Sequence, residues 1–220
     1  MDARKELEAK GCIFSGHFIG TSGNHLAGYV NLDPILPHAK IVKEMVGLLV
    51  KEFADQEIDA VAVAATAGIP LSQWGAYLLE ELTGKPVLGV WADKTGDGGL
   101  AFERDGFVQA VRGKRVLILE DIVNQMHSVK KVKEQVEKAG GTVVGIASIA
   151  ANKGVSAEAL GVPKYVKLCT TAYDAWTPEE CKKSGLCAKK IPIVEDIGHG
   201  HEVKATWPDY PGGFVKLLKD

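Results

Sequence analysis

The chain has 220 residues, enough to bury one substantial core with a small appended flap and too few to require two full domains. Its 46% apolar and 25% charged content is that of an ordinary globular protein, and a formal net charge of −2 excludes a general polyanion binder, so no nucleic acid partner is expected. The amino terminus, MDARKELEAKGC, lacks a signal-peptide apolar core and no apolar run approaches bilayer-spanning length, giving the expectation of a cytoplasmic protein with no membrane contact.

In chain order, Asp2 to Lys10 has helical character and Gly11 stops it. The next stretch, IFSGHFIGTSGNHLAGYVNLD, alternates short apolar pieces with glycine and polar turns, which predicts an irregular hairpin and a small hood over about residues 11–35. From His38 to Phe53, Ile41, Val42, Met45, Val46, Leu48, Leu49 and Phe53 fall at helical spacing, so this helix should lay one face on a sheet. The run DAVAVAA, Asp59 to Ala65, has strand length and enters the small-residue turn Thr66, Ala67, Gly68. Pro70 suits the first turn of the helix that follows to Leu82, because its missing N–H has no intrahelical partner there. Thr83 and Gly84 close that helix, and Pro86 to Trp91 gives another strand. Ala92 to Gly113 holds five glycines and four acids, too polar for core, and reads as a mobile loop closed by a short hairpin.

The centre of the chain is RVLILEDIVNQMHSVK, Arg115 to Lys130. Val116 to Leu119 run without alternation, as in a parallel strand covered on both faces, and lead into the adjacent acids Glu120 and Asp121. After a short polar loop, Ser128 is placed as the N-cap of a helix from Val129 to Ala139, stopped by Gly140 and Gly141. Thr142 to Ala150 and Tyr165 to Cys169 are further strands. Strands alternating with helices predict an α/β fold, a parallel sheet flanked by helices with its core at about 38–170. Over residues 171–220, Pro178, Pro192, Pro208 and Pro211 cut the tail into short pieces, assigned to the edge of a single domain.

Cys12, Cys169, Cys181 and Cys187 are scattered through a chain with no export signal, so no disulfide framework is expected. Cys181 and Cys187 precede His199 and His201, four residue types that bind zinc, but their spacing fits no standard finger or ribbon. They are read as free thiols and surface histidines, and no metal-ligating set is assigned.

The chain contains no Walker A sequence, no Gly-x-Gly-x-x-Gly turn after a predicted strand, and no Gly-x-Ser-x-Gly elbow. What remains is the acid pair and the loop behind it. Carboxylates at a strand end accept hydrogen bonds from sugar hydroxyls or hold a hydrated divalent cation, and N–H groups at a helix start receive phosphate. Together they suit a phosphorylated ribose.

At this point the sequence resembles the type I phosphoribosyltransferases, specifically the orotate phosphoribosyltransferase family. VLIL, Glu120, Asp121, Ile122, Val123 and Ser128 match its signature in order; AATAGIPLSQWGAYLLEELTGKPVLGVWADK resembles its pyrophosphate loop, next helix and strand; GHFIGTSGNHLAGYVN resembles its hood. The likeness covers about Gly16 to Lys153. It implies transfer of a phosphoribosyl group from phosphoribosyl pyrophosphate (PRPP), with Mg2+, to a nucleobase such as the pyrimidine orotate, by a homodimer. By the same resemblance Glu120, Asp121 and Lys94 are catalytic, the acids holding the ribose hydroxyls. Thr66, Ala67, Gly68 and Arg104 meet the pyrophosphate; Asn124, Gln125, Met126, His127 and Ser128 surround the 5′-phosphate. Thr21, Ser22, Gly23 and Tyr29 of the hood receive the base.

Three positions depart from the family pattern. Asn124 to His127 stand where the family has Thr-Thr-Gly-Gly, so both glycines are gone. The segment from Asp93 to Arg104 offers only Lys94 and Arg104 against four acids counted through Asp105, and Thr21 replaces a frequent lysine. These departures set a second reading beside the enzyme: a protein of this fold that binds a nucleotide or sugar phosphate, as a regulator, without efficient transfer.

Overall fold

The computed structural model describes residues 2–20, 22–124 and 126–218; Thr21 and Gln125, both assigned to the site from sequence, lie outside the described residues. Its elements are α1 (Ala3–Ala9), β1 (Ile13–Ile19), β2 (His25–Val30), α2 (Ala39–Lys51), β3 (Ala60–Ala64), α3 (Ile69–Thr83) and β4 (Leu88–Lys94). There follow β5 (Leu100–Ala101), α4 (Phe107–Val111), β6 (Arg115–Val123), α5 (His127–Lys138), β7 (Thr142–Asn152), α6 (Ala157–Leu160) and β8 (Tyr165–Thr171). The tail adds β9 (Ala175–Trp176), α7 (Pro178–Ser184), β10 (Ile193–Val194), α8 (Gly200–Thr206) and β11 (Phe214–Val215). The chain divides into two compact units, Met1–Lys10 with Leu32–Thr171 and Gly11–Asn31 with Ala172–Asp220.

The first unit is built on a six-stranded sheet in the order β5-β4-β3-β6-β7-β8. All neighbouring strands are parallel except β5, which returns antiparallel to β4. Ala60 to Val63 and Val116 to Leu119 are fully buried, because both sheet faces are covered. On one face Ala60, Ala62, Val116 and Ile118 cluster with Val129, Val132 and Val136 of α5. On the other, α3 lies so close that a Cβ on Gly75 would stand 2.7 Å from Leu119 Cδ1 and 3.2 Å from Val61 Cγ1. Each fully buried Val, Leu or Ile here contributes about 1.5–3 kcal/mol relative to exposure. The sheet with helices on both faces is the α/β architecture expected from the sequence, and α3 carries its proline in the first turn and ends at Gly84 with φ +69°.

The segment from Ala92 to Gly113 holds the short hairpin expected from the sequence and differs from its expectation around it. β4 continues to Lys94, turns through Thr95 to Gly99, and pairs with β5 at Asp93 opposite Ala101 and Lys94 opposite Leu100. Asp97 accepts the Thr95 hydroxyl and the Gly99 N–H at 3.0 Å, and Lys131 Nζ donates to Gly98 O at 2.6 Å. The glycines thus serve a tight hairpin, with Gly98 at φ +77°, and α4 follows in place of an open mobile loop.

The second unit is a five-stranded sheet in the order β11-β10-β1-β2-β9. β10 runs parallel to β1, with His17 opposite Ile193, and β9 antiparallel to β2, with His25 opposite Trp176. The tail therefore completes the sheet of the hood hairpin; two-residue strands satisfy their backbone groups only by joining a longer one. Among the described residues no helix is long and apolar enough to cross a membrane.

Candidate functional site

The first unit holds a cavity of about 600 Å³ at the carboxyl ends of β3, β4 and β6, the edge where open α/β sheets place their ligands. Seven of the residues assigned from sequence line it: Thr66, Ala67 and Gly68 after β3, Lys94 at the end of β4, Glu120 and Asp121 near the end of β6, and Ser128 in α5. The turn after β3 depends on Gly68, where a Cβ would meet Ala64 O at 2.5 Å and Val63 Cβ at 2.8 Å. Only glycine lets the chain fold back this tightly, leaving the N–H groups of the turn beside the cavity.

Glu120 is 6% exposed. Its Oε1 accepts the Asp121 N–H at 3.3 Å, while Oε2 is buried with no hydrogen-bond partner. Burial, and after it the neighbouring Asp121 carboxylate, push the Glu120 carboxyl well above the usual carboxylate range. Asp121 is half-buried and accepts the Ile122 N–H at 2.7 Å. An orphaned buried oxygen on a cavity wall is satisfied by whatever hydroxyl or cation fills the cavity.

Helix α5 starts earlier than the sequence suggests. Ser128 is not the N-cap: the helix begins at His127, with Met126 as its N-cap at φ +61°, ψ +3°. The left-handed Met126 turns the chain into the helix two residues sooner, placing Ser128 in the first turn and on the cavity wall. Among the described residues no side chain caps α5, which leaves first-turn N–H groups for an anion. Met126 itself packs against the cluster that includes Val129.

Several assigned residues stand elsewhere. Asn124 and His127 are exposed and, like Met126, do not line the cavity. Arg104 Nε lies 3.3 Å from Asp93 Oδ2 and its guanidinium 5.6 Å from the centre of the Trp91 ring, away from the cavity lining. Ser22 and the positive-φ Gly23 lie in the β1–β2 turn of the second unit, and Tyr29 on β2 packs against Phe18 at 5.6 Å. The zinc candidates do not assemble as Cys181, Cys187, His199 and His201: His199 bonds Glu202 Oε1 at 2.8 Å on α8, and the histidines beside the two cysteines are His17 and His25.

Sequence reasoning missed Asp33, Leu36, Ala64, Ala65 and Pro70 in the lining. Ala64 and Ala65 were recoverable as the end of an apolar strand, and Pro70 as the first turn of the next helix. Asp33 and Leu36 carry no periodicity; Asp33 falls in the stretch read as the hood, and Leu36 between hood and core.

No protein-family profile matches the chain. Curated relatives do: the orotate phosphoribosyltransferase of Pelotomaculum thermopropionicum is 33% identical over 189 residues, 86% of this chain and 92% of that protein. That of Caldicellulosiruptor bescii is 31% identical over 183 residues, 83% of this chain and 89% of that protein. Among solved structures, the orotate phosphoribosyltransferase of Aeropyrum pernix superposes with a TM-score of 0.57 at 21% identity, covering 77% of this chain and 94% of that one.

Proposed function

Because the chain belongs to the orotate phosphoribosyltransferase family, we propose that it transfers the phosphoribosyl group of PRPP to the ring nitrogen of orotate, releasing pyrophosphate. The observation that carries this reading is the single cavity shared by the acid pair, the Thr66–Gly68 turn and Ser128 of the uncapped helix α5. In the reaction the bond from sugar C1 to the pyrophosphate oxygen breaks and the C1–N bond to the base forms, through a loose, cationic sugar. Glu120 and Asp121 accept hydrogen bonds from the ribose hydroxyls and hold the ring; the Asp121 charge also favours the developing cation. Backbone N–H groups of Thr66, Ala67 and Gly68, with the exposed Lys94, receive the pyrophosphate, whose charge grows as it leaves. The 5′-phosphate takes the first turn of α5 and the Ser128 hydroxyl.

Magnesium fits this site, since Asp121 and the partnerless Oε2 of Glu120 are the hard oxygen donors that the ion takes beside phosphate. When bound it supplies charge neutralisation for the leaving group. Arg104 contributes only after leaving Asp93, so Lys94 is the primary cation of the site. By family resemblance Thr21, Ser22, Gly23 and Tyr29 recognise the base, the protein works as a homodimer, and its compartment is the cytoplasm.

The regulatory, non-transferring reading draws on the lost glycines at 124–127. Against it, Met126 keeps the positive φ that glycine would favour, which supports a phosphate loop of conserved shape in altered sequence. The test is turnover: the protein with Mg2+ and PRPP is offered orotate and a panel of other pyrimidines and purines, and pyrophosphate is measured. Release with orotate, reduced roughly 10- to 150-fold in Asp121→Asn, is the expected result. PRPP binding by calorimetry with no turnover on any base would overturn the enzymatic reading in favour of the regulatory one.

A further inference from the structure

The second unit gathers four metal-ligating side chains that phosphoribosyl chemistry does not use. His17 comes from β1, His25 from the start of β2, Cys181 from α7 and Cys187 from the loop behind it. All four are buried, and one ligand atom of each lies within 4.8 Å of the others. Cys187 Sγ is 3.4 Å from His25 Nδ1 and 3.9 Å from His17 Nε2, and Cys181 Sγ is 3.9 Å from His17 Nε2. A tetrahedral zinc with Zn–N near 2.0–2.1 Å and Zn–S near 2.3 Å has N···S edges of about 3.6 Å and an N···N edge of about 3.4 Å. The three N···S distances already match to a few tenths of an ångström. His17 Nε2 and His25 Nδ1, at 2.6 Å, need to part by about 0.8 Å.

We propose that His17, His25, Cys181 and Cys187 form a closed, structural Zn2+ site that ties the tail to the hood hairpin. Two thiolates with two imidazoles and no carboxylate are the soft and borderline donors that select zinc over magnesium, and four protein ligands leave no open position for catalysis. The surroundings are arranged for it. The Ile191 carbonyl can only accept, so the 2.9 Å contact fixes the proton on His17 Nδ1 and aims the Nε2 lone pair into the cluster. Tyr210 donates to the same carbonyl at 2.8 Å, and the Cys187 N–H donates to Cys181 Sγ at 3.2 Å, a bond that steadies a thiolate. Gly185 allows the Cys181–Cys187 loop to close, since a Cβ there would stand 3.0 Å from Cys181 Sγ and 2.8 Å from its Cα.

On binding, the two thiols release two protons, the Nδ1 proton of His25 moves to Nε2, and the Zn2+ charge is cancelled by two thiolates, so the buried centre is neutral. Beyond β1 and β2 the unit is built of two-residue strands and short helices, with small clusters around Ile19, Ile193 and Tyr210 and around Phe18, Val194 and Ile197, cores small enough for such a staple to matter.

The test is metal content of the full-length, reduced protein by plasma mass spectrometry, with one zinc per chain expected. Replacing zinc by Co2+ should give the thiolate charge-transfer and visible bands of a tetrahedral S2N2 centre. Cys187→Ser should lose the zinc, while His199→Ala with His201→Ala keeps it. Should Cys187→Ser fail to fold, the wild-type protein still decides: chelator treatment should lower its Tm and Zn2+, not Mg2+, should restore it. Protein that holds no zinc and shows no cobalt bands overturns the proposal, as does a Cys181–Cys187 disulfide seen as a loss of two hydrogens. None of these readouts involves turnover, so they stand apart from the proposed activity.

Discussion

Replacing Glu120 with glutamine should stabilise the ligand-free protein at neutral pH while removing its activity. The carboxyl is 6% exposed, its Oε2 has no partner, and burial with Asp121 beside it raises its pKa well above the ordinary value of 4.5. Above pH 4.5 the unfolded chain binds fewer protons at this position than the folded chain does. Stability is therefore lost as pH rises from the unfolded value through the folded one. Each unit of upward displacement is worth about 1.4 kcal/mol, and an unsatisfied buried polar group costs about 1–3 kcal/mol, more when charged. Glutamine leaves its buried amide as poorly partnered as the protonated acid but never has to bury a charge, so its advantage should be small at pH 5 and reach roughly 1–3 kcal/mol by pH 8, about 2–12 °C in Tm for a chain of this size. Thermal denaturation of both proteins without ligand, from pH 5 to 8, measures it. A variant less stable at every pH, or a difference independent of pH, would refute the claim that Glu120 is held in its site at a cost to the fold.

Asp121→Asn removes one charge-assisted contact to the ribose, worth about 1.5–3 kcal/mol, so kcat/KM for PRPP should fall roughly 10- to 150-fold with little change in Tm. Gly68→Ala forces a Cβ to within 2.5 Å of Ala64 O; a loss of about 1–3 kcal/mol in urea denaturation is expected, with weaker PRPP binding by calorimetry. Met126→Gly should be more stable than Met126→Ala by about 1 kcal/mol, because both lose the side chain's packing but only alanine keeps the left-handed strain; equal stabilities would mean that the loop relaxes out of that conformation. In light scattering the protein should run at twice the 23.5 kDa of one chain if the homodimer holds.

The sheet of the first unit was readable because its determinants are local. Val116 to Leu119 is apolar without alternation only because both faces are covered, and Pro70 and Gly84 mark α3 by backbone chemistry that acts within one turn. The acids were readable for the same reason, as charges at the mouth of a buried strand. Boundaries set by a single backbone dihedral were not: nothing in the residue type of Met126 announces φ +61°, and that angle moved the start of α5 and turned Ser128 from a cap into a cavity residue. The hairpin expected within 92–113 could not be positioned at 95–99 for a related reason. Glycine-rich polar sequence suits an open loop and a tight hairpin equally, and the choice fell to contacts such as Lys131 to Gly98 O, 33 residues apart.

The tail was opaque because almost everything that orders it is distant. β10 has two residues and takes its register from His17; Cys181 and Cys187 meet His17 across 164 and 170 positions. A spacing rule for zinc ligands searches a short window, so the cysteines were matched to the nearest histidines downstream, His199 and His201. Folding chose the histidines of the hood, because among the described residues β1 and β2 are the only strands of that sheet longer than two residues and the tail docks on them. The same dependence gives the metal its purpose: ordering so many short pieces costs chain entropy that a small apolar cluster offsets poorly, and four ligands closing one centre across 170 positions supply what local pairing does not.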